Sequence, residues 1–308
     1  PLKFFRPGTC GAFGATAAVA ILRGFGAEQL ISAFGIAYAQ LCGTMQAHTE
    51  GSPLLAMQMG FNARNALTAS DLAAQGIPGT RHILEGPFGF FALFEGEHCL
   101  DEVLPQLGNL WRITEVAHKP FPSGRATHGI VDACLTLRKE QLFAHGDIRS
   151  ALARVPPLTH HLVGRPVSKE MDINYARLCV RFVAARALIS GNVVSEDFTA
   201  EARRDPVTLS LAERIDIEIN NNPDPNALSP IELEIEYHNG ARMCSRIDIV
   251  YGHPAKPMSR TAWLEKFRSN WRRSAVPLSD SACERVIERI DSLPAVTDTA
   301  TIIDDLVP

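Results

Sequence analysis

Residues 231 to 249 constrain the fold of this chain more than any other stretch. Ile231-Glu232-Leu233-Glu234-Ile235-Glu236-Tyr237 alternates apolar and acidic residues without a break, Asn239-Gly240 follows, and Ala241 to Ile249 runs back. A period of two puts every second side chain on one face, and Asn-Gly between two such runs is a strong hairpin signal. Ile215-Asp216-Ile217-Glu218-Ile219 has the same alternation. The spacing therefore predicts a sheet with a buried Ile/Leu face and an acidic face. The row Glu218, Glu232, Glu234 and Glu236 reads as a solvated sheet face or as a metal site, and solvation is the commoner use of such a row.

The flanking sequence has helical punctuation. Gly8 to Ala20 is crowded with small residues, which predicts a helix that neighbours approach closely, central in a bundle. Its glycines fit neither GxGxxG nor a phosphate loop with Gly-Lys-Ser/Thr. Helix is expected over 29–45 and 57–75, with 54–56 leading in. A break falls at His48-Thr49-Glu50-Gly51-Ser52-Pro53 and a stop at Gly76-Ile77-Pro78-Gly79. Gly86 to Phe94 is apolar and reads as a buried segment against another subunit or domain, with an exposed patch as the alternative. A short helix is expected over 100–107, further helices over 130–142 and 174–190, and a strand over 151–155 before Pro156-Pro157. Two last helices are expected over 260–270 and 279–293. Arg177, Arg181 and Arg186 read as a solvated helix face.

Composition narrows the function classes. Length, 308 residues, suits about two domains. A net charge of −4 without a basic run speaks against nucleic acid as partner. No apolar run reaches the ~18 residues of a membrane span. Seven scattered cysteines without a CxxC pair suit buried thiols in a reducing, cytoplasmic setting, not a zinc site or disulfide frame. No cofactor or metal is called for. The first residues, without a Met and entering a motif directly, lead to the expectation that a natural N-terminal portion precedes them.

One stretch invites chemistry. Lys119-Pro120-Phe121-Pro122-Ser123-Gly124-Arg125-Ala126-Thr127-His128 stiffens the backbone with two prolines between a cation and a histidine that opens a helix, with Thr127 as an N-cap. A lysine so held can pair with a substrate carboxylate or, if its pKa falls, carry a proton. A solvated lysine, a structural turn and a satisfied histidine are the plain alternative.

These residues, with Thr9-Cys10-Gly11-Ala12-Phe13-Gly14-Ala15, Glu50-Gly51-Ser52, Gly252-His253-Pro254, Pro257-Met258-Ser259 and Lys266-Phe267-Arg268, resemble the MmgE/PrpD family over essentially the whole chain. That family includes 2-methylcitrate dehydratase, cis-aconitate decarboxylase and iminodisuccinate epimerase. The resemblance implies a mainly α protein with an α+β domain. A helical bundle domain (1–115 and 251–308) would carry a smaller α+β lid domain (116–250), with the site in the cleft between them and a homodimer joined through the helical domain. It further implies chemistry without metal or cofactor on a small di- or tricarboxylate: proton abstraction beside a carboxylate leading to dehydration, decarboxylation or epimerisation. Lys119 takes the catalytic position, and Arg6, Gln58 and His128 become substrate-binding candidates. Arg6 stands where the family has a histidine, while Leu55 and Gln58 stand where it has a lysine and a histidine. The family's Asp- and His-bearing segment is not in this sequence. Three readings follow: a lyase or isomerase with altered substrate chemistry in which Arg6 supplies a carboxylate-binding fork, a catalytically inactive paralogue serving as a binding or assembly subunit, and a plain helical interaction protein; whether Arg6 and Lys119 face one another across the cleft is the most telling observation.

Overall fold

The alternating runs form the sheet they predict. In the computed structural model, which describes residues 2–96, 98–140, 143–276 and 278–307, β1 (Ile148–Val155), β2 (Ile215–Ile219), β3 (Ile231–Tyr237) and β4 (Arg242–Ile247) lie in the order β2-β1-β3-β4. β1 is parallel to β2 and antiparallel to β3, and β3–β4 is the Asn-Gly hairpin. Ile231, Leu233, Ile235 and Tyr237 are buried on one face. On the other, Arg149 bonds Glu236 at 2.9 Å, Arg242 bonds Glu234 and Glu236 at 2.9 Å each, and Arg246 bonds Glu232. The acidic row is thus a half-exposed lattice of arginine pairs. Each pair contributes little alone, but together they pin the register.

The chain opens with α1 (Arg6–Leu22), α2 (Ala27–Tyr38), α3 (Gln46–Glu50) and α4 (Leu54–Ala74). α1 packs on α2 and α4. It is not central, as the small-residue pattern suggested: Cys10, Gly11, Gly14 and Ala18 are exposed on its open side. The expected helix over 29–45 ends at Tyr38; residues 42–45 instead bridge to the chain start, with Phe5 N bonding Gly43 O at 3.0 Å and Met45 N bonding Lys3 O at 2.9 Å. Within 86–94 only Gly89 and Phe90 are buried, Phe90 against Phe13 and Phe94 at 5.5 and 5.1 Å. Phe88 and Leu93 are exposed in the single chain, where Phe90 anchors the segment. A short helix α5 (Leu100–Val103) ends this half.

α6 (His128–Glu140) crosses the buried sheet face with Ile130, Val131, Ala133, Cys134 and Leu137 fully covered; residues 141 and 142 of its expected end lie outside the described residues. α7 (Pro157–Val163), α8 (Ile173–Arg177), α9 (Val180–Ser190), α10 (Ala200–Arg204) and α11 (Pro206–Glu213) form the crossover from β1 to β2. The expected helix over 174–190 breaks between α8 and α9. Gly124 N donates to the Arg177 carbonyl at 2.9 Å and Cys179 is extended, so the break is where the proline-rich stretch docks. Nor are the three arginines a solvated face. Arg181 donates to the carbonyls of Ile215 and Gly164 at 2.9 Å each, Arg186 Nε meets buried Asp197 at 2.8 Å, and Arg177 lies over Phe198.

α12 (Arg260–Arg272), α13 (Asp280–Asp291) and α14 (Ala300–Asp304) close the chain. Trp271, Ala282, Cys283 and Val286 give them a small core of their own. Residues 251–308 were expected to rejoin the first helices. The polar and ring contacts described for them include ones to His118, Lys119, Arg125, Asp132 and Glu196. Of the seven cysteines, Cys134, Cys179 and Cys283 are buried and the other four are exposed, which corrects the expectation of uniformly buried thiols.

Candidate functional site

Three distant motifs meet at one place. Pro120 and Pro122 hold Phe121 inward, buried and edge-on to His128 at 5.3 Å. The turn at 252–256 straps onto this segment: His118 N bonds Gly252 O at 2.8 Å, and Gly252 N bonds Lys256 O at 2.9 Å. Gly252 has φ +87°, and a Cβ there would stand 2.2 Å from His118 O, so both conformation and space require glycine. Asp132 on α6 fixes the strap, accepting from Tyr251 N at 3.0 Å and Lys256 Nζ at 2.7 Å. Arg125 Nη1 donates to Tyr251 O at 2.8 Å. Next, α12, capped by Ser259, brings Lys266 Nζ onto the Lys119 carbonyl, while Trp263 packs on His118 at 4.5 Å.

The result is a cavity of about 510 Å³ whose walls include Lys119, Pro122, Val194, Tyr251, Glu265, Lys266, Asn270 and Arg273. Arg273 is bound by Glu196. Among the described residues neither Lys119 nor Lys266 pairs with a carboxylate. The Lys119 ammonium is pushed below the usual lysine range by crowding protein atoms first, then by Arg125 and Lys266; burial lowers Lys266 as well. Lys119 is nevertheless exposed by surface area, so solvent screening keeps this effect modest. The wall is suited to binding carboxylates and stabilising negative charge that develops on them.

The other predicted residues are not gathered here. His128 is fully buried, 3.3 Å from Arg125 Nη1 at Nδ1 and 3.4 Å from Ser123 O at Nε2. Burial, then Arg125 and Lys119, push its pKa down to about 3, so it is a neutral support under the segment. Thr127 is not an N-cap; its hydroxyl turns back to Gly124 O at 2.9 Å and Ser123 Oγ at 2.7 Å. Gln58 is buried under the loop at 42–45 and donates to Thr44 O at 3.2 Å. Arg6 is held by Glu95 at 2.7 Å and lines a different cavity, of about 680 Å³, with Lys3, His161, Pro157 and Asn226. Arg6 and Lys119 therefore do not face one another across one cleft.

Sequence reasoning passed over two further elements. Lys266 was noted only as part of a motif, and its approach to Lys119 depends on a helix 147 residues away in sequence. Arg165, over the Tyr175 ring at 4.9 Å, donates to His48 O at 3.0 Å and ties α3 to the loop after α7. Nothing local in the sequence signals that clasp. Among the described residues no group of three or more His, Cys, Asp or Glu side chains could hold a metal ion, and no helix is long and apolar enough to cross a membrane.

By architecture this is a helical, mixed α+β protein in which a four-stranded sheet unit carries a cationic cavity. Within that class the chain belongs to the MmgE/PrpD family: the model of the MmgE/PrpD N-terminal domain matches residues 2–102 and that of the C-terminal domain residues 121–292. It is 27% identical over 304 residues to the cis-aconitate decarboxylase of Mus musculus, covering 95% of this chain and 60% of the relative. The Homo sapiens cis-aconitate decarboxylase is 27% identical over 98% of this chain and 62% of its own length. The Aspergillus terreus cis-aconitate decarboxylase is 26% identical over 96% of this chain and 64% of its own length. The chain thus spans about three-fifths of the length of these relatives.

Proposed function

We propose that this protein is a lyase acting on a small di- or tricarboxylate, removing CO₂, water or a proton beside a carboxylate, and that it works as a cytoplasmic homodimer. The observation that carries the reading is a pair of ammonium groups, Lys119 and Lys266, on one cavity wall, neither paired with a carboxylate among the described residues, in a family member whose relatives include cis-aconitate decarboxylases. In a decarboxylation the electrons of the breaking C–C bond stay on the adjacent carbon, delocalise toward a remaining carboxylate, and are quenched by a proton. A cation on that carboxylate stabilises the transient charge, which is the role assigned to Lys119. Arg6, in its own cavity, would take part only if its bond to Glu95 opened.

A second reading, an inactive paralogue that binds carboxylates without converting them, is favoured by one observation. Arg6, Gln58 and His128 each have a structural partner and none shares the Lys119 cavity. Incubation with cis-aconitate, 2-methylcitrate and related acids in D₂O, followed by proton NMR, separates the two. Deuterium entering a carbon beside a carboxylate is the expected result for the lyase. A folded protein that binds these acids and leaves them unchanged is the result for the paralogue.

A further inference from the structure

On α12 and at its end most arginines are paired; Arg272, like Lys266, has no carboxylate partner among the described residues. Arg260 pairs with Asp291, Arg268 with Glu284 at 2.7 Å and Arg273 with Glu196 at 2.6 Å. Lys266, on the same helix and half-buried, has no carboxylate among the described residues; its only described polar partner is the Lys119 backbone carbonyl. A neutral carbonyl leaves the ammonium charge uncompensated and two of its three N–H donors unspoken for. Because that carbonyl belongs to Lys119, the contact brings the Lys266 ammonium onto the backbone of a segment stiffened by Pro120 and Pro122, and both lysines line the same cavity. Two ammonium groups without a carboxylate partner among the described residues line these walls with one carboxylate, Glu265, and Ser269 and Asn270 add neutral polar groups. Like charges held together cost free energy in the empty protein, and a ligand bearing two or more carboxylates relieves that cost where a monocarboxylate relieves only part of it.

We infer that Lys266 is a substrate-binding residue that selects for ligands with more than one carboxylate, holding a second carboxylate while Lys119 holds the first. The inference rests on the proposed carboxylate chemistry of this cavity and adds to it a specificity residue from α12.

The test is binding, measured separately from turnover. Isothermal titration of the full chain with tricarballylate and with propionate, at low and at high salt, reads the preference directly. Tricarballylate should bind at least about tenfold more tightly than propionate, as expected for one extra charge-assisted contact, and the margin should shrink with salt. Lys266→Met should cut tricarballylate affinity about tenfold and change propionate affinity less than about twofold, whereas Lys266→Arg keeps most of the margin. Should the Met variant unfold, Lys266→Gln serves as the second neutral variant. A wild-type protein without the margin, or a neutral variant that retains it in full, overturns the inference. If the margin holds and depends on Lys266 but no acid is turned over, the lyase reading fails and the binding role stands. If turnover occurs and the margin ignores Lys266, only the binding role fails.

Discussion

His128 and His48 are buried imidazoles beside cations, and their neutrality couples the fold to pH. His48 is pushed down to about 4 by burial first, then Arg165, and His128 to about 3. In the unfolded chain both return to about 6.5, so below that pH the unfolded state binds protons that the folded state refuses. Stability is therefore fully present above pH ~6.5 and is lost as pH falls toward 4, by a few kcal/mol on an order-of-magnitude basis. Urea unfolding at pH 7 and pH 5 should show the loss, and His128→Asn, though less stable at pH 7, should show a shallower slope. An unchanged slope in that variant would remove His128 from the explanation. The sequence singles out Lys119 and His128 as the two ends of one proline-stiffened stretch. It could not show that Arg125 and the Ser123 carbonyl enclose the imidazole, because Arg125 is itself set by Tyr251, 126 residues away. Arg6 was misplaced for a similar reason: its partner Glu95 comes from a segment of no regular period.

At the scale of elements, glycines that look alike in sequence carry different loads. A Cβ on Gly35 of α2 would lie 2.3 Å from Thr80 O and 2.4 Å from Thr80 N, both backbone atoms that cannot swing aside. Gly14 of α1 has nothing within 4 Å of its Cβ position. Gly35→Ala should cost about 1–3 kcal/mol or more by forcing the helix off the 78–80 segment. Gly14→Ala should be neutral or stabilising by up to ~1 kcal/mol through helix propensity. Thermal melts of the two variants decide it, and equal effects would contradict the packing described. Strands were legible to the residue at β2 and β3 because alternation against a single buried face leaves no other register. Helix ends were not legible where tertiary bonds set them, as at Tyr38 and at the Leu178–Cys179 break.

For the whole molecule, the exposed apolar residues along 103–116 bear on assembly. Leu107, Trp111 and Ile113 are 68%, 70% and 80% exposed, an unusual load of large apolar surface for one segment. The proposed homodimer predicts twice the 33.6 kDa chain mass by light scattering, and Trp111→Glu should shift it toward the monomer. A monomeric wild-type chain would contradict the assembly. Family and fold class were legible because motifs at 9–15, 50–52, 119–128 and 252–268 are distinctive in combination. The cavity was only half legible, since it forms where α12 and the 252–256 turn meet a segment more than 120 residues earlier.

The lyase reading is tested most directly by comparing wild type and Lys119→Ala on cis-aconitate in D₂O by proton NMR, each with a thermal melt. Wild type should consume the acid and place deuterium beside a carboxylate, while the variant loses this at a nearly unchanged melting temperature. Equal turnover in the two proteins, or a wild type that binds the acid and leaves it intact, would contradict it.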